Sequence, residues 1–242
     1  MTLFKDAFCY EFVKPAKDTA NLCSQFVLPV GNEKNLDEEQ IDLSSMEHLA
    51  QDDVMWAPRK STGDGNCLFN SLSLFLFGNE SAATELRVRT SLELILNEEY
   101  YLNNDNVKLG SASKERDLVA FYLMTTDYYF GEDCTMMENK KKVFRKMVMC
   151  TAGNGKFSNI FHIMALASVV RCTVETIYPA NFPLLKLAMG RLCYPRDGNK
   201  DLTLHLMWTR IGPPVNRANW SPNHFVPVVA VKRWSKWINR AE

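Results

Sequence analysis

The apolar residues of this chain change their period once, near residue 171, and that change constrains the fold more than any other feature. Before it they recur at helix spacing. Leu68, Phe69, Leu72, Phe75 and Leu76 would share one helix face, and Ile160, Phe161, Met164, Ala165 and Ala167 another. After it they alternate. The run from Thr173 to Tyr178 is rich in β-branched residues, and Leu202, Leu204, Leu206 and Trp208 fall on one side of a strand. Residues 225–231 are apolar on both sides, which suits an interior strand, although Pro227 within it requires an unpaired amide position or a bulge. Helices first and strands later give an α+β class, a small mixed β-sheet packed between helices.

Turn signals bound the elements. Gly78-Asn79 should end the first helix, and further helices are expected over about 82–96, 114–128 and 137–150. Ser158 should cap a last one running to about 170. On the second helix Leu86, Thr90, Leu94 and Ile95 share a side, with Arg87, Arg89 and Glu93 elsewhere. The Lys140-Lys141-Lys142 run reads as a solvated face. Residues 1–60 are the least patterned, with a polar, acidic stretch over 31–53 that suggests one or two short surface helices. They are set apart as an N-terminal extension, packed on the domain or contacting substrate, with 61–242 as the domain that carries the chemistry.

Charge and cysteine usage exclude several functions. Lys plus Arg and Asp plus Glu each number 28, so there is no electrostatic case for nucleic acid or an anionic membrane as main partner. No apolar run approaches the roughly 20 residues that span a bilayer. The N-terminal MTLFKDAFCYEF lacks a basic segment followed by a long apolar stretch. The 7 cysteines (9, 23, 67, 134, 150, 172 and 193) are odd in number, widely spaced and free of CxxC pairs. Neither a disulfide framework nor a zinc site is expected, and they read as reduced thiols of a cytoplasmic or nuclear monomer.

One cysteine has a context the others lack. A thiol that serves as nucleophile must ionise near neutral pH, so its pKa must fall from about 8.5; a helix N-terminus and a nearby imidazolium both lower it. Asp64-Gly65-Asn66-Cys67 places a turn, with glycine for unusual backbone angles, directly before an apolar helix that starts at the thiol. The amide of Cys67 and one from the 64–66 turn are candidate oxyanion donors. The bland alternative is a buried cysteine that happens to begin a helix. Of the four histidines, His48 sits in the polar leader, His162 is flanked by apolar residues, and His205 faces away from the leucines of its strand. His224 follows the turn Trp220-Ser221-Pro222-Asn223 and opens an apolar strand, a junction of the kind that displays catalytic side chains.

Asp64-Gly65-Asn66-Cys67-Leu68-Phe69, followed by Asn70-Ser71-Leu72-Ser73, resembles the nucleophile motif of the ovarian-tumour (OTU) cysteine proteases. Asn223-His224-Phe225-Val226-Pro227-Val228-Val229 is similar to the histidine motif of that family's A20-like branch, and the 160–170 helix followed by Val174 to Tyr178 is similar to the elements between them. A fainter similarity, in the segments ELRVRTSLELILNEEYY and WSPNHFVPVV, is to vertnin-like proteins. The OTU resemblance implies a papain-type fold and a deubiquitinase with Cys67 as nucleophile, His224 as general base and Asp64 shaping the loop with Gly65 and Asn66. It implies ubiquitin or polyubiquitin chains as partner and neither metal nor organic cofactor. Many OTU proteins carry Asn or Asp two residues after the histidine, whereas this chain has Val226. The group that orients the imidazole must then come from elsewhere: Asp52, Asp53 or Asp42 upstream, or Asn219 or Asn223. That departure also leaves open a catalytically weak or inactive ubiquitin-binding module.

Overall fold

In the computed structural model the described residues are 38–46, 49, 56–180, 182–197, 202–213 and 220–230. Five described strands form one mixed sheet: β1 (Trp56–Pro58), β2 (Thr173–Ile177), β3 (Leu192–Cys193), β4 (Thr203–Thr209) and β5 (His224–Ala230). Their order is β1-β5-β4-β2-β3. β2 and β4 run parallel, and the remaining pairs are antiparallel. β1 lies before residue 61, so part of the N-terminal segment belongs to the sheet.

Alternation sorts the strand side chains as their pattern implies. Leu204, Leu206 and Trp208 of β4 join Phe225 in the large core beneath the helices, while Met207, Val226 and Val228 form a small cluster with Trp56 on the other face. A single helical turn, α1 (Leu43–Met46), stands at that second face, where the Ser45 hydroxyl meets that of Thr209 at 2.7 Å. Pro227 is accommodated without a bulge. Its carbonyl accepts the Arg59 amide at 2.8 Å on the β1 side, so its ring nitrogen faces the same side, just past the end of β1, where only the reciprocal bond to the Arg59 carbonyl is forgone and the pairing with β4 is untouched.

The helices are α2 (Cys67–Phe77), α3 (Ala83–Leu96), α4 (Glu98–Tyr101), α5 (Asn104–Lys108), α6 (Leu118–Met124), α7 (Met137–Thr151), α8 (Ile160–Val170) and α9 (Pro183–Met189). α2 ends at Gly78, whose left-handed φ of 77° suits a residue without Cβ. α8 is apolar on nearly every side because it lies between α3 and the sheet.

Several expectations are corrected here. The helix expected over 114–128 forms only as α6; Asp117 caps it by accepting the Ala120 amide, and the residues before it stay irregular. Ser158 is not the cap of α8. Asn159 fills that role in a reciprocal box with His162. Lys140 is not solvated, because its ammonium is drawn inward to the Asp117 carboxylate. Arg87, which the periodicity of α3 placed away from the apolar side, lies in the interior at 1% exposure.

Candidate functional site

The loop before α2 is shaped by Asp64. One carboxylate oxygen accepts the Asn66 amide at 2.9 Å and the Asn70 side-chain amide at 3.0 Å, and the other accepts the Asn66 side chain at 2.9 Å. Burial opposes ionisation, but these bonds hold the carboxyl below its ordinary pKa, so it is charged at neutral pH. Gly65 is required twice over: its φ is +81°, and a Cβ there would lie 2.1 Å from the Gly155 carbonyl oxygen.

Asn66 sits at the N-cap position without capping the helix. Its side-chain oxygen instead accepts the Arg87 Nε at 3.0 Å and the Gly155 amide at 3.2 Å. The 151–157 segment therefore packs over the loop, and Phe157 stacks on Phe225 with ring centroids 5.6 Å apart.

Cys67 begins α2 and is 2% exposed. Its amide is among the four at the helix start that lack an intrahelical acceptor, and it lies against the thiol of its own residue. The thiol departs from expectation. Burial pushes its pKa up to about 11, with the Asp64 charge adding to the rise, and the Phe225 and Leu68 amides pull it only partly back. A helix N-terminus was expected to lower it; desolvation wins, and the resting thiol is protonated.

His224 begins β5, on which α2 packs, and is buried. Its Nε2 lies 3.2 Å from the Ser61 hydroxyl, which itself donates to the Phe225 carbonyl at 2.6 Å. A hydroxyl whose proton is committed can only accept, so the arrangement assigns the ring proton to Nε2 and the lone pair to Nδ1. Nδ1 is buried and has no hydrogen-bond partner, and no hydrogen bond joins it to Cys67. By alternation His224 falls in the row of Val226 and Val228, and it is the next residue, Phe225, whose amide meets the thiol. Burial lowers the His224 pKa, while the Asp42 carboxylate and the Ser61 backbone act to raise it.

The candidates for an orienting group divide. Asp52, Asp53 and Asn219, like His48, lie outside the described residues. Asn223 is exposed and exchanges two hydrogen bonds with the Ile211 backbone, at 2.9 and 3.0 Å, so its side chain is turned away from this task. Asp42 remains. Its carboxylate accepts the Ser45 hydroxyl at 2.7 Å, and Ser45 in turn meets Thr209, the residue opposite His224 in the β4–β5 register. Ser61, which holds the ring directly, was missed by sequence reading, and only its place just before the Gly63–Cys67 loop could have pointed to it.

The other histidines are accounted for. His162 is fully enclosed, donates through Nε2 to the Thr151 hydroxyl at 2.7 Å, and accepts the Asn159 amide at Nδ1. Burial, aided by the Arg87 charge, pushes its pKa down to about 3. His205 pairs with Glu175 at 3.1 Å and lies against Trp56. Among the described residues no cluster of His, Cys, Asp or Glu could hold a metal ion, and no helix is long and apolar enough to cross a membrane. A cleft of about 850 Å³ lies elsewhere, between the 113–124 segment and α9, and no residue named above for the site lines it.

Comparison with known proteins adds a family. The family model described as "Vertnin, OTU domain" matches residues 58–209, which contain Cys67 and end before His224. Vertnin of Danio rerio is 29% identical over 184 residues, covering 71% of this chain and 25% of its own length. Vertnin of Mus musculus is 27% identical over 232 residues, covering 90% and 29%. The chain thus spans about a quarter to a third of the curated relatives it matches. Among solved structures, the OTUD1 OTU domain aligns over 72% of this chain and 85% of its own, at 13% identity and a TM-score of 0.40.

Proposed function

The chain belongs to the Vertnin OTU-domain family, and from that premise we propose that it is a thiol isopeptidase, cleaving ubiquitin or a ubiquitin-like modifier from lysine. Cys67 is the nucleophile and His224 the general base. The observation that carries this reading is the packing of α2 on β5, which brings the first residue of the nucleophile helix against the strand that His224 opens.

In the reaction, the Cys67 thiol gives its proton to Nδ1 of His224, the nitrogen with a free lone pair. Substrate binding must close the gap between them, since no hydrogen bond spans it at rest. The thiolate attacks the carbonyl carbon at the modifier's C-terminus, and the Cys67 amide with one amide of the 64–66 turn receives the oxyanion. As the C–N bond breaks, the imidazolium returns its proton to the lysine nitrogen. Water then hydrolyses the thioester and restores the thiol. Ser61 holds the ring in the tautomer this sequence needs, and Asp42 favours the imidazolium that forms.

A second reading is a binding module that keeps the fold and cleaves weakly or not at all. The buried, protonated thiol favours it. A ubiquitin probe with a thiol-reactive C-terminus separates the two. The expected result is a covalent adduct in the wild type, none in Cys67→Ala and slow formation in His224→Ala. Adduct or turnover persisting in Cys67→Ala would sink the nucleophile assignment, and ubiquitin binding without adduct by folded wild type would leave the binding module. A monomeric state, cytoplasmic or nuclear location and the absence of a nucleic-acid partner belong to the same proposal. Strongly salt-dependent DNA binding by the domain would contradict the last.

A further inference from the structure

Arg87 is one of two arginines buried among the described residues. Its guanidinium has four acceptors and none is a carboxylate: the Gly65 carbonyl at 2.6 Å, the Asn66 side chain at 3.0 Å, the Thr151 carbonyl at 2.6 Å and the Lys156 carbonyl at 2.8 Å. Two lie on the nucleophile loop and two on the segment packed over it. The guanidinium also covers the Phe69 ring, 4.5 Å from its centre.

Neutral acceptors satisfy the N–H groups and leave the charge itself uncompensated in a desolvated place. Burial acts to deprotonate it; negative charge on Cys67, as thiolate, on Asp64 and on Tyr128 acts in the opposite direction. A buried cation bonded to the two residues that precede Cys67 favours the thiolate of that residue. A planar fork gripping two backbone segments holds the intervening amides in place, which a single ammonium cannot do.

We infer that Arg87 is the positioning residue of the nucleophile loop: it locks Gly65 and Asn66 to the 151–156 segment and supplies the fixed positive charge against which the Cys67 thiolate forms. The inference rests on reading Cys67 as the nucleophile.

The test uses the whole chain as wild type, Arg87→Lys, Arg87→Met and Asn66→Ala, each first checked for folding by circular dichroism. Iodoacetamide labelling of Cys67 is followed by peptide mass spectrometry from pH 7 to 10, beside the rate of ubiquitin-probe adduct formation. Folded Arg87→Met should label Cys67 about tenfold more slowly at a given pH, one pKa unit being a tenfold change in thiolate. Arg87→Lys should keep the wild-type pH profile while forming adduct about tenfold more slowly, because the charge stays and the fork is lost. An unchanged labelling profile in folded Arg87→Met overturns the inference. Should that variant not fold, Arg87→Lys and Asn66→Ala decide it, since each removes loop bonds: wild-type adduct rates in both would overturn it. Labelling needs no ubiquitin, so an absence of adduct in the wild type refutes the proposed substrate, while the pH profile still judges Arg87.

Discussion

At the nucleophile loop both oxygens of Asp64, both polar side-chain atoms of Asn66 and all three guanidinium nitrogens of Arg87 have partners, whereas at the start of β5 the buried Nδ1 of His224 has none. A loop satisfied from within holds its shape without substrate. An unpaired buried acceptor costs about 1–3 kcal/mol, so the histidine end is the part that still gains by finding a partner. On the proposed reading the two halves of the site differ in this: the thiol side is preorganised, and the imidazole, held at Nε2 by Ser61, keeps Nδ1 open to accept a proton.

Gly65→Ala should disturb this contrast most. It demands left-handed backbone of a residue with a Cβ and drives that Cβ into the Gly155 carbonyl. A loss of about 3 kcal/mol is expected from backbone strain of this kind together with the clash, and for a chain of this size it would lower Tm by about 6–12 °C. A Tm within a degree or two of wild type would mean that the loop relaxes and is not preorganised.

His162 sharpens the comparison from beneath the same loop. Its pKa is depressed to about 3 from an ordinary 6.5, so the folded state releases the proton and the unfolded state binds it. Its contribution is therefore present above pH 6.5 and is lost as pH falls from there toward 3. Between pH 6.5 and 5 the loss is about 2 kcal/mol. Urea unfolding at the two pH values should show this loss in the wild type and a correspondingly smaller one in His162→Gln. Parallel losses would remove His162 from the account.

Ser61→Ala tests the looser half. With its tautomer-fixing contact gone, His224 should support adduct formation about tenfold more slowly, equivalent to about 1.4 kcal/mol, with Tm nearly unchanged. An unaltered rate would leave the ring oriented by something other than Ser61. Asn223→Ala should do least, within about 0.5 kcal/mol in stability and without effect on adduct rate. A tenfold loss there would return Asn223 to the orienting role its bonds to Ile211 now deny it.

Much of the fold is legible in the amino-acid pattern itself. The switch from helical to alternating period placed α2, α3, α7, α8, β2, β4 and β5 within a few residues of where they lie. The 64–67 turn before an apolar helix was equally plain. Elsewhere the pattern misled for identifiable reasons. The 114–117 residues are polar and helix-compatible, yet Asp117 is a better cap than helix interior because its carboxylate takes both the Ala120 amide and the Lys140 ammonium. Arg87 reads as a surface residue because arginine is seldom buried, and its four acceptors come from two segments far apart in the chain.

The sequence alone determined the α+β class, the helices and strands with a clear period, and the turn that precedes Cys67, because each depends on residues a few positions apart: the 3.6 and 2 periods, and glycine, Asp and Asn clustered in one turn. Only the tertiary structure decided that Arg87 lies beneath that loop, that Ser61 rather than Asn223 holds the His224 ring, and that the Cys67 thiol rests protonated. Those outcomes depend on partners as far as 163 positions away and on how completely water is excluded. Desolvation belongs to the assembled interior, and no short stretch of sequence carries it.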